Sequence, residues 1–206
     1  MTQPASGGVT RVVLATRNAG KVAELRRILA PYDVELVGLD DVEPYEPVPE
    51  TGATFADNAL AKAAEAAAAT GLPAVADDSG LAVAALNDMP GVLSARWAGR
   101  HGDDRANLEL LLGQLADVPD EYRGAMFGCA AAAVIPAKGR EICVEGVLTG
   151  RLIREPRGSN GFGYDPVFVP DGETRTTAEM SGDEKDAISH RGKAFRALAE
   201  ELGRML

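Results

Sequence analysis

Short apolar runs alternate along the chain with stretches in which apolar residues return every three or four positions, the pattern of an α/β protein. Residues 11–16 (RVVLAT) read as a first strand, followed by a helix to about residue 29 with Val22, Leu25, Ile28 and Leu29 on one face. Residues 34–39 read as a second strand, and residues 40–52 as an acidic loop broken by Pro44, Pro47 and Pro49. Thr54 and Asp57 form a capping-box pair for an alanine-rich helix that Gly71 and Pro73 stop after Thr70. An apolar run from Leu72 leads into Asp77-Asp78-Ser79-Gly80, which puts both carboxylates at a strand end, and residues 81–86 continue as a strand. Trp97 reads as a packing anchor, and Asp103 or Asp104 can cap a helix carrying Leu108, Leu111, Leu112 and Leu115. Residues 125–135 and 141–152 predict a long antiparallel hairpin, whose alanines imply close approach of another layer. Residues 166–170, bounded by prolines, suit a short edge strand. Ser181 and Glu184 make a second capping-box pattern, and the last helix carries Phe195, Leu198, Leu202 and Met205 on one face.

At 206 residues the natural reading is a flexible tail over residues 1–10 and a single two-lobed domain over 11–206. The start is small and polar without the features of a secretory signal, and no run is long and apolar enough to cross a membrane, so the expectation is a cytoplasmic protein. A net charge of −10 argues against a general nucleic-acid binder but not against a small nucleotide. An acidic protein that takes a polyphosphate must gather its cations locally and recruit a metal. Cys129 and Cys143 lack a metal-ligand spacing and read as buried free thiols, and two histidines exclude a histidine-rich metal site.

Four stretches carry chemistry. Adjacent Asp77 and Asp78 repel one another and call for a positive partner, most simply a divalent cation; a turn in which both cap backbone amides is the competing reading. Residues 16–21 (TRNAGK) form a strand-to-helix loop whose free amides favour an anion, with Asn18 and Lys21 as further donors; helix capping by Thr16 or Asn18 is the plain alternative. Residues 157–166 (RGSNGFGYDP) combine three glycines, two aromatics and a carboxylate, a loop on which a planar base can stack. Lys185, His190 and Arg191 form a cationic cluster in an otherwise acidic chain. Glu50 stands apart by directly preceding a helix, whereas Lys62 in isolation suits a solvated helix lysine.

Five segments stand in order: Thr16-x-Asn18-x-x-Lys21; Glu50-Thr51-Gly52 with Asn58-Ala59-x-x-Lys62-Ala63; Ala76-Asp77-Asp78-Ser79-Gly80-Leu81; Gly161-Phe162-Gly163-Tyr164-Asp165-Pro166; and Glu184-Lys185 through Ser189-His190-Arg191. Together they resemble the inosine triphosphate pyrophosphatase family over residues 11–203. The resemblance implies an elongated mixed sheet flanked by helices, with two lobes around a central nucleotide-binding cleft. It further implies hydrolysis of ITP, dITP and XTP to the monophosphate and pyrophosphate, with Mg2+ as cofactor, in a homodimer. Asp78 would be the general base, a metal ligand, or both; Glu50 would be a metal ligand, and Asp77 a ligand or a group behind one. Phosphate contacts map onto Thr16, Arg17, Asn18, Ala19, Gly20, Lys21 and Lys62, with Ser79 also touching substrate. Base reading maps onto Phe162, Gly163, Tyr164 and Asp165 with Lys185, His190 and Arg191, Phe162 stacking and Arg191 meeting the 6-oxygen. A related pyrophosphatase of other base preference and a non-hydrolysing nucleotide sensor are the alternatives.

Overall fold

The computed structural model describes residues 10–32, 34–46 and 49–205, with backbone alone at 10 and 205. The expected tail, Pro47 in the acidic loop and the Met205 side chain lie outside the described residues. In chain order the elements are β1 (Thr10–Leu14), α1 (Ala19–Leu29), β2 (Val34–Val37), α2 (Phe55–Thr70), β3 (Ala74–Val83), β4 (Met89–Pro90), α3 (Asp104–Gln114), β5 (Gly124–Ile135), β6 (Arg140–Leu152), β7 (Phe168–Pro170), α4 (Gly182–Ile188) and α5 (His190–Met205). The strands form one seven-stranded mixed sheet in the order β2-β1-β3-β5-β6-β7, with β4 on the far end of β3. β1 pairs in parallel with β2 and β3, and the remaining pairings are antiparallel. This is the expected mixed sheet flanked by helices. The hairpin expected from residues 125–152 is its longest feature, and β7 is an edge strand as its prolines require.

Alternation along the strands sorts three cores. Val75, Cys129, Ala131 and Ala133 face α1 and α5, which add Leu25, Ile28, Phe195 and Leu198. Ala74, Ala76, Ala130 and Ala132 face the opposite way, against Ala59, Ala63, Ala66 and Ala67 of α2. Alanine on alanine lets the α2 backbone approach the sheet closely, as the composition implied. Farther along the same strands Leu81, Val83, Phe127, Leu148 and Leu152 pack with Leu111 and Leu115 of α3 and with Phe168, and Trp97 rests against this third core. The three cores therefore share one sheet, the first two on its opposite faces and the third farther along the same strands.

Two expectations change. Asp77 and Asp78 lie in the middle of β3, because β3 stays paired with β5 from Ala74 to Val83. The strand expected over 81–86 ends at Val83, where Ala84–Leu86 closes a 3-10 turn with Asn87 in the left-handed region (φ 50°). Of the two cysteines, both free, Cys129 is buried and Cys143 only half-buried.

The last two helices are separated at Ser189, whose extended backbone ends α4 and whose hydroxyl accepts from Gly192 N at 2.9 Å. That break lets Lys185 on α4 and Arg191 on α5 converge. α5 crosses β6 at Gly146, where an added Cβ would lie 2.2 Å from His190 O and 2.7 Å from Ala194 N. Gly146→Ala should push α5 off the sheet and cost about 1–3 kcal/mol, read as a lower denaturant midpoint at unchanged m.

Candidate active site

β1 leaves the side of β3 after the Leu14–Val75 pair, and Ala15 N donates the last bond, to Val75 O at 2.8 Å. β4 joins that side at Ala82. Between them the edge of β3 is open, and at its end Leu81 N finds the Ser94 hydroxyl at 2.9 Å. Pleating sends Asp77 toward α1 and α5, and Asp78 toward α2. The two carboxylates do not share a site; they are held from opposite faces of one strand.

Asp77 has a fully buried side chain whose Oδ2 accepts from Lys21 Nζ at 2.9 Å, Arg191 Nε at 3.3 Å and Ser79 Oγ at 3.2 Å. Its Oδ1 is buried without a partner. Burial pushes this carboxyl up, but Lys21 and Arg191 outweigh burial and hold it well below the ordinary aspartate range. Asp78 accepts from Asn58 Nδ2 at 2.9 Å and faces Lys62 Nζ at 3.5 Å. Here burial wins over Lys62 and Lys21, and the carboxyl titrates above the ordinary aspartate value. Lys62 also reaches Glu50 at 2.8 Å, so it is half-buried between two carboxylates rather than solvated. Arg96 holds the other side of Glu50, at 3.6 Å from its carboxylate and 3.4 Å from its carbonyl oxygen.

Asn18 Oδ1 caps α1 by accepting from Lys21 N at 3.1 Å, so capping and the aim of Lys21 come from one loop. Across the cleft Asp165 organises the glycine loop: its Oδ2 accepts from Phe162 N at 2.9 Å and from Lys185 Nζ at 2.5 Å, and its Oδ1 from Thr177 at 2.8 Å. Gly161 (φ 75°) is needed here, since a Cβ would meet Asp165 Oδ2 at 2.1 Å. The Phe162 ring lies 5.1 Å from Lys185 Nζ and 5.5 Å from the Arg191 guanidinium carbon.

Glu24 joins the two cations. It accepts from Lys185 at 2.8 Å and bonds Arg191 Nη1, while Arg191 Nη2 donates to Ser79 Oγ at 2.7 Å. A buried chain of alternating charge thus runs Asp165, Lys185, Glu24, Arg191, Asp77, Lys21. His190 is not one of its cations. It is buried, stacks on Phe127 at 4.8 Å, and has an unpartnered Nδ1. Burial first, then Arg191 and Lys185, push it far below the ordinary histidine value, so it is neutral.

One cleft of about 570 Å3 lies over these groups, a volume suited to a small ligand; Asp77 and Glu24 lie behind its lining. Of the residues singled out from sequence, Thr16, Arg17, Asn18, Lys21, Glu50, Lys62, Asp78, Ser79, Phe162, Gly163, Tyr164, Asp165, Lys185, His190 and Arg191 all line it. Ala19 and Gly20 do not; Gly20 sits under Phe162, where a Cβ would lie 2.8 Å from its ring. Sequence reasoning missed Glu24 and Arg96 and gave Asn58 no role. The signal for Glu24 was a carboxylate on the buried stripe of α1, between Lys21 and Ile28. No group of three or more His, Cys, Asp or Glu suited to a metal occurs among the described residues.

Fold and site together define an α/β protein with one cleft lined by lysines, carboxylates and an aromatic loop. The chain belongs to the Ham1 family, whose model matches residues 12–201, and this bears out the family resemblance of its five segments. It is 61% identical over 202 residues to the dITP/XTP pyrophosphatase of Streptomyces coelicolor, covering 96% of this chain and 100% of that protein. The crystal structure of the nucleoside-triphosphatase / dITP/XTP pyrophosphatase from Mycobacterium abscessus shares 61% identity, with a TM-score of 0.75 over 92% of this chain and 98% of that one. The structure of the Staphylococcus aureus Ham1 protein shares 36% identity, with a TM-score of 0.84 over 96% of this chain and 100% of that one.

Burial pushes the Glu24 carboxyl up, but Arg191 and Lys185 together hold it below its ordinary value of 4.5. Its contribution to stability is therefore complete at neutral pH and is lost as pH falls through that depressed value. Glu24→Gln should destabilise by about 3–5 kcal/mol at pH 7, with the gap to wild type narrowing progressively as pH falls below 4.5. Denaturant titrations from pH 7 to pH 3 read this directly; a gap that ignores pH would assign the loss to packing.

Proposed function

We propose that the chain hydrolyses the deaminated purine nucleoside triphosphates ITP, dITP and XTP to the monophosphate and pyrophosphate. The observation that carries this reading is the full-length identity of about 60% to dITP/XTP pyrophosphatases, in a chain that gathers the family's five segments around one cleft. The triphosphate lies at the Lys21 and Lys62 end, against the α1 N-terminus and the open edge of β3. The base stacks on Phe162.

Asp78 is the general base. Burial has raised its affinity for a proton, and Asn58 fixes one of its oxygens, leaving the other toward the phosphate end. It takes a proton from water as the water attacks the α-phosphorus, and the bond to the pyrophosphate oxygen breaks. Lys21 and Lys62 hold the charge that develops on the departing pyrophosphate. Both lysines wait on carboxylates, Asp77 for one and Glu50 with Asp78 for the other.

The donor set at this end fits a hard divalent cation. Glu50 and Asp78 converge on the same ammonium, Lys62, and two carboxylates plus substrate phosphates are what Mg2+ prefers. When bound, the cation neutralises triphosphate charge that Glu50 and Asp78 would otherwise repel. Asp77, turned to the other face, is no ligand in this reading; it aims Lys21 and Arg191 from one oxygen.

Base choice falls to the cationic end behind Phe162. Of the three partners of Arg191 only the Ser79 hydroxyl is neutral, so a purine 6-oxygen replaces it at least cost. An adenine amine leaves the donor unmatched, worth about 1–3 kcal/mol or roughly ten- to a hundredfold. A homodimer working in the cytoplasm completes the proposal. No helix among the described residues is long and apolar enough to cross a membrane.

Incubation with inosine, xanthosine, guanosine and adenosine triphosphates should yield monophosphate and pyrophosphate, mainly from inosine and xanthosine, and only with Mg2+. Orthophosphate in place of pyrophosphate would move the cut to the γ-phosphorus and sink the reading. Asp78→Asn should keep the fold and lose roughly 10²- to 10⁴-fold in kcat; activity within a few-fold of wild type would remove Asp78 as the base.

A further inference from the structure

We propose that Asp104 is a positioning residue for base binding, tying the tip of the Phe162 loop to the start of α3. The inference rests on the reading of Phe162 as the base platform.

Two consecutive aspartates begin α3, and the structure divides their tasks. Asp103 caps the helix, accepting from Ala106 N at 3.1 Å. Asp104 is released from capping, and its Oδ2 accepts from Gly163 N at 2.9 Å. That bond joins residues 59 positions apart, and both Asp104 and Gly163 line the cleft.

The loop needs such a tie. Gly161 and Gly163 both take positive φ, 75° and 61°, so the backbone on either side of Phe162 has little stiffness of its own. Asp165 fixes the Phe162 amide from inside the loop, and the Tyr164 hydroxyl donates to Ser94 O at 2.9 Å. Among the described residues Asp104 is the side chain outside residues 157–166 that holds the main chain at the tip. The ring is seated on Gly20 and over Lys185 and Arg191. Its backbone is pinned by Asp104. Phe162 therefore stands where ring and backbone contacts together set it, and releasing the backbone frees the ring to tilt away from a base.

Gly163 asks only for an acceptor, so charge is not required. Asp104 is exposed and outside every core, and its loss leaves the helix cap on Asp103 intact. Asp104→Ala should raise KM for ITP and the inhibition constant of inosine monophosphate together, by roughly three- to tenfold, the range one exposed hydrogen bond supports. Inhibition by pyrophosphate, which engages the other end of the cleft, should be unchanged. Asp104→Asn keeps a carbonyl oxygen and should rescue most of the KM loss. Amide exchange at Gly163, followed by NMR without nucleotide, should quicken in Asp104→Ala and return toward wild type in Asp104→Asn. Unchanged Gly163 exchange in Asp104→Ala would overturn the tie. An equal rise in the pyrophosphate constant, or no rescue by Asn, would overturn the role at the base. Absence of ITP turnover in the wild type would fail the functional reading instead, and the exchange experiment would still decide the tie.

Discussion

The cleft depends on a gap in a sheet. β3 keeps its partner on one side for ten residues, but on the other it is bare between the departure of β1 and the arrival of β4. A strand paired on both sides could not open Asp78 and Ser79 to the cleft, since a neighbour would cover its edge. A strand end could not hold their geometry. An edge in mid-strand does both: the ladder to β5 fixes the backbone, and the open side admits a ligand. Pleating then gives the adjacent aspartates different surroundings, one balanced by buried cations and the other made more basic by burial.

The buried charge chain is the second constraint. Six ionised groups beneath Phe162 are costly to desolvate, and well-packed apolar side chains there would stabilise the fold at least as well. Their retention makes sense as a way to keep cations fixed and dry where a ligand arrives. Glu24 and Asp77 each take two cations and Asp165 takes a cation, a backbone amide and a hydroxyl, and the ends of the chain lie at the Phe162 loop and at Lys21.

Local signals in the sequence were reliable, and distant ones were not. The α2 cap at Thr54 and Asp57 and the α4 cap at Ser181 and Glu184 stand as read, because each involves residues three apart. The acidic pair reads as a strand end because residues 74–83 do not reveal that they stay paired with β5 throughout; that is a matter of partners about fifty positions later. Glu24 was passed over for the same reason, its partners lying 161 and 167 residues away. His190 was grouped with the cations by type, yet its charge state is set by burial against Phe127 and by two positive neighbours. The residues that line the cleft were legible as a set through family pattern, and the contacts that give each its partner were not.

β5 and β6 run without interruption from the cores beside α1, α2 and α5 into the core beside α3. Within that hairpin no loop intervenes at which the two sides of the cleft could hinge. The width of the cleft is therefore set by a continuous hydrogen-bonded ribbon, and a change in width is a change in the twist of that ribbon.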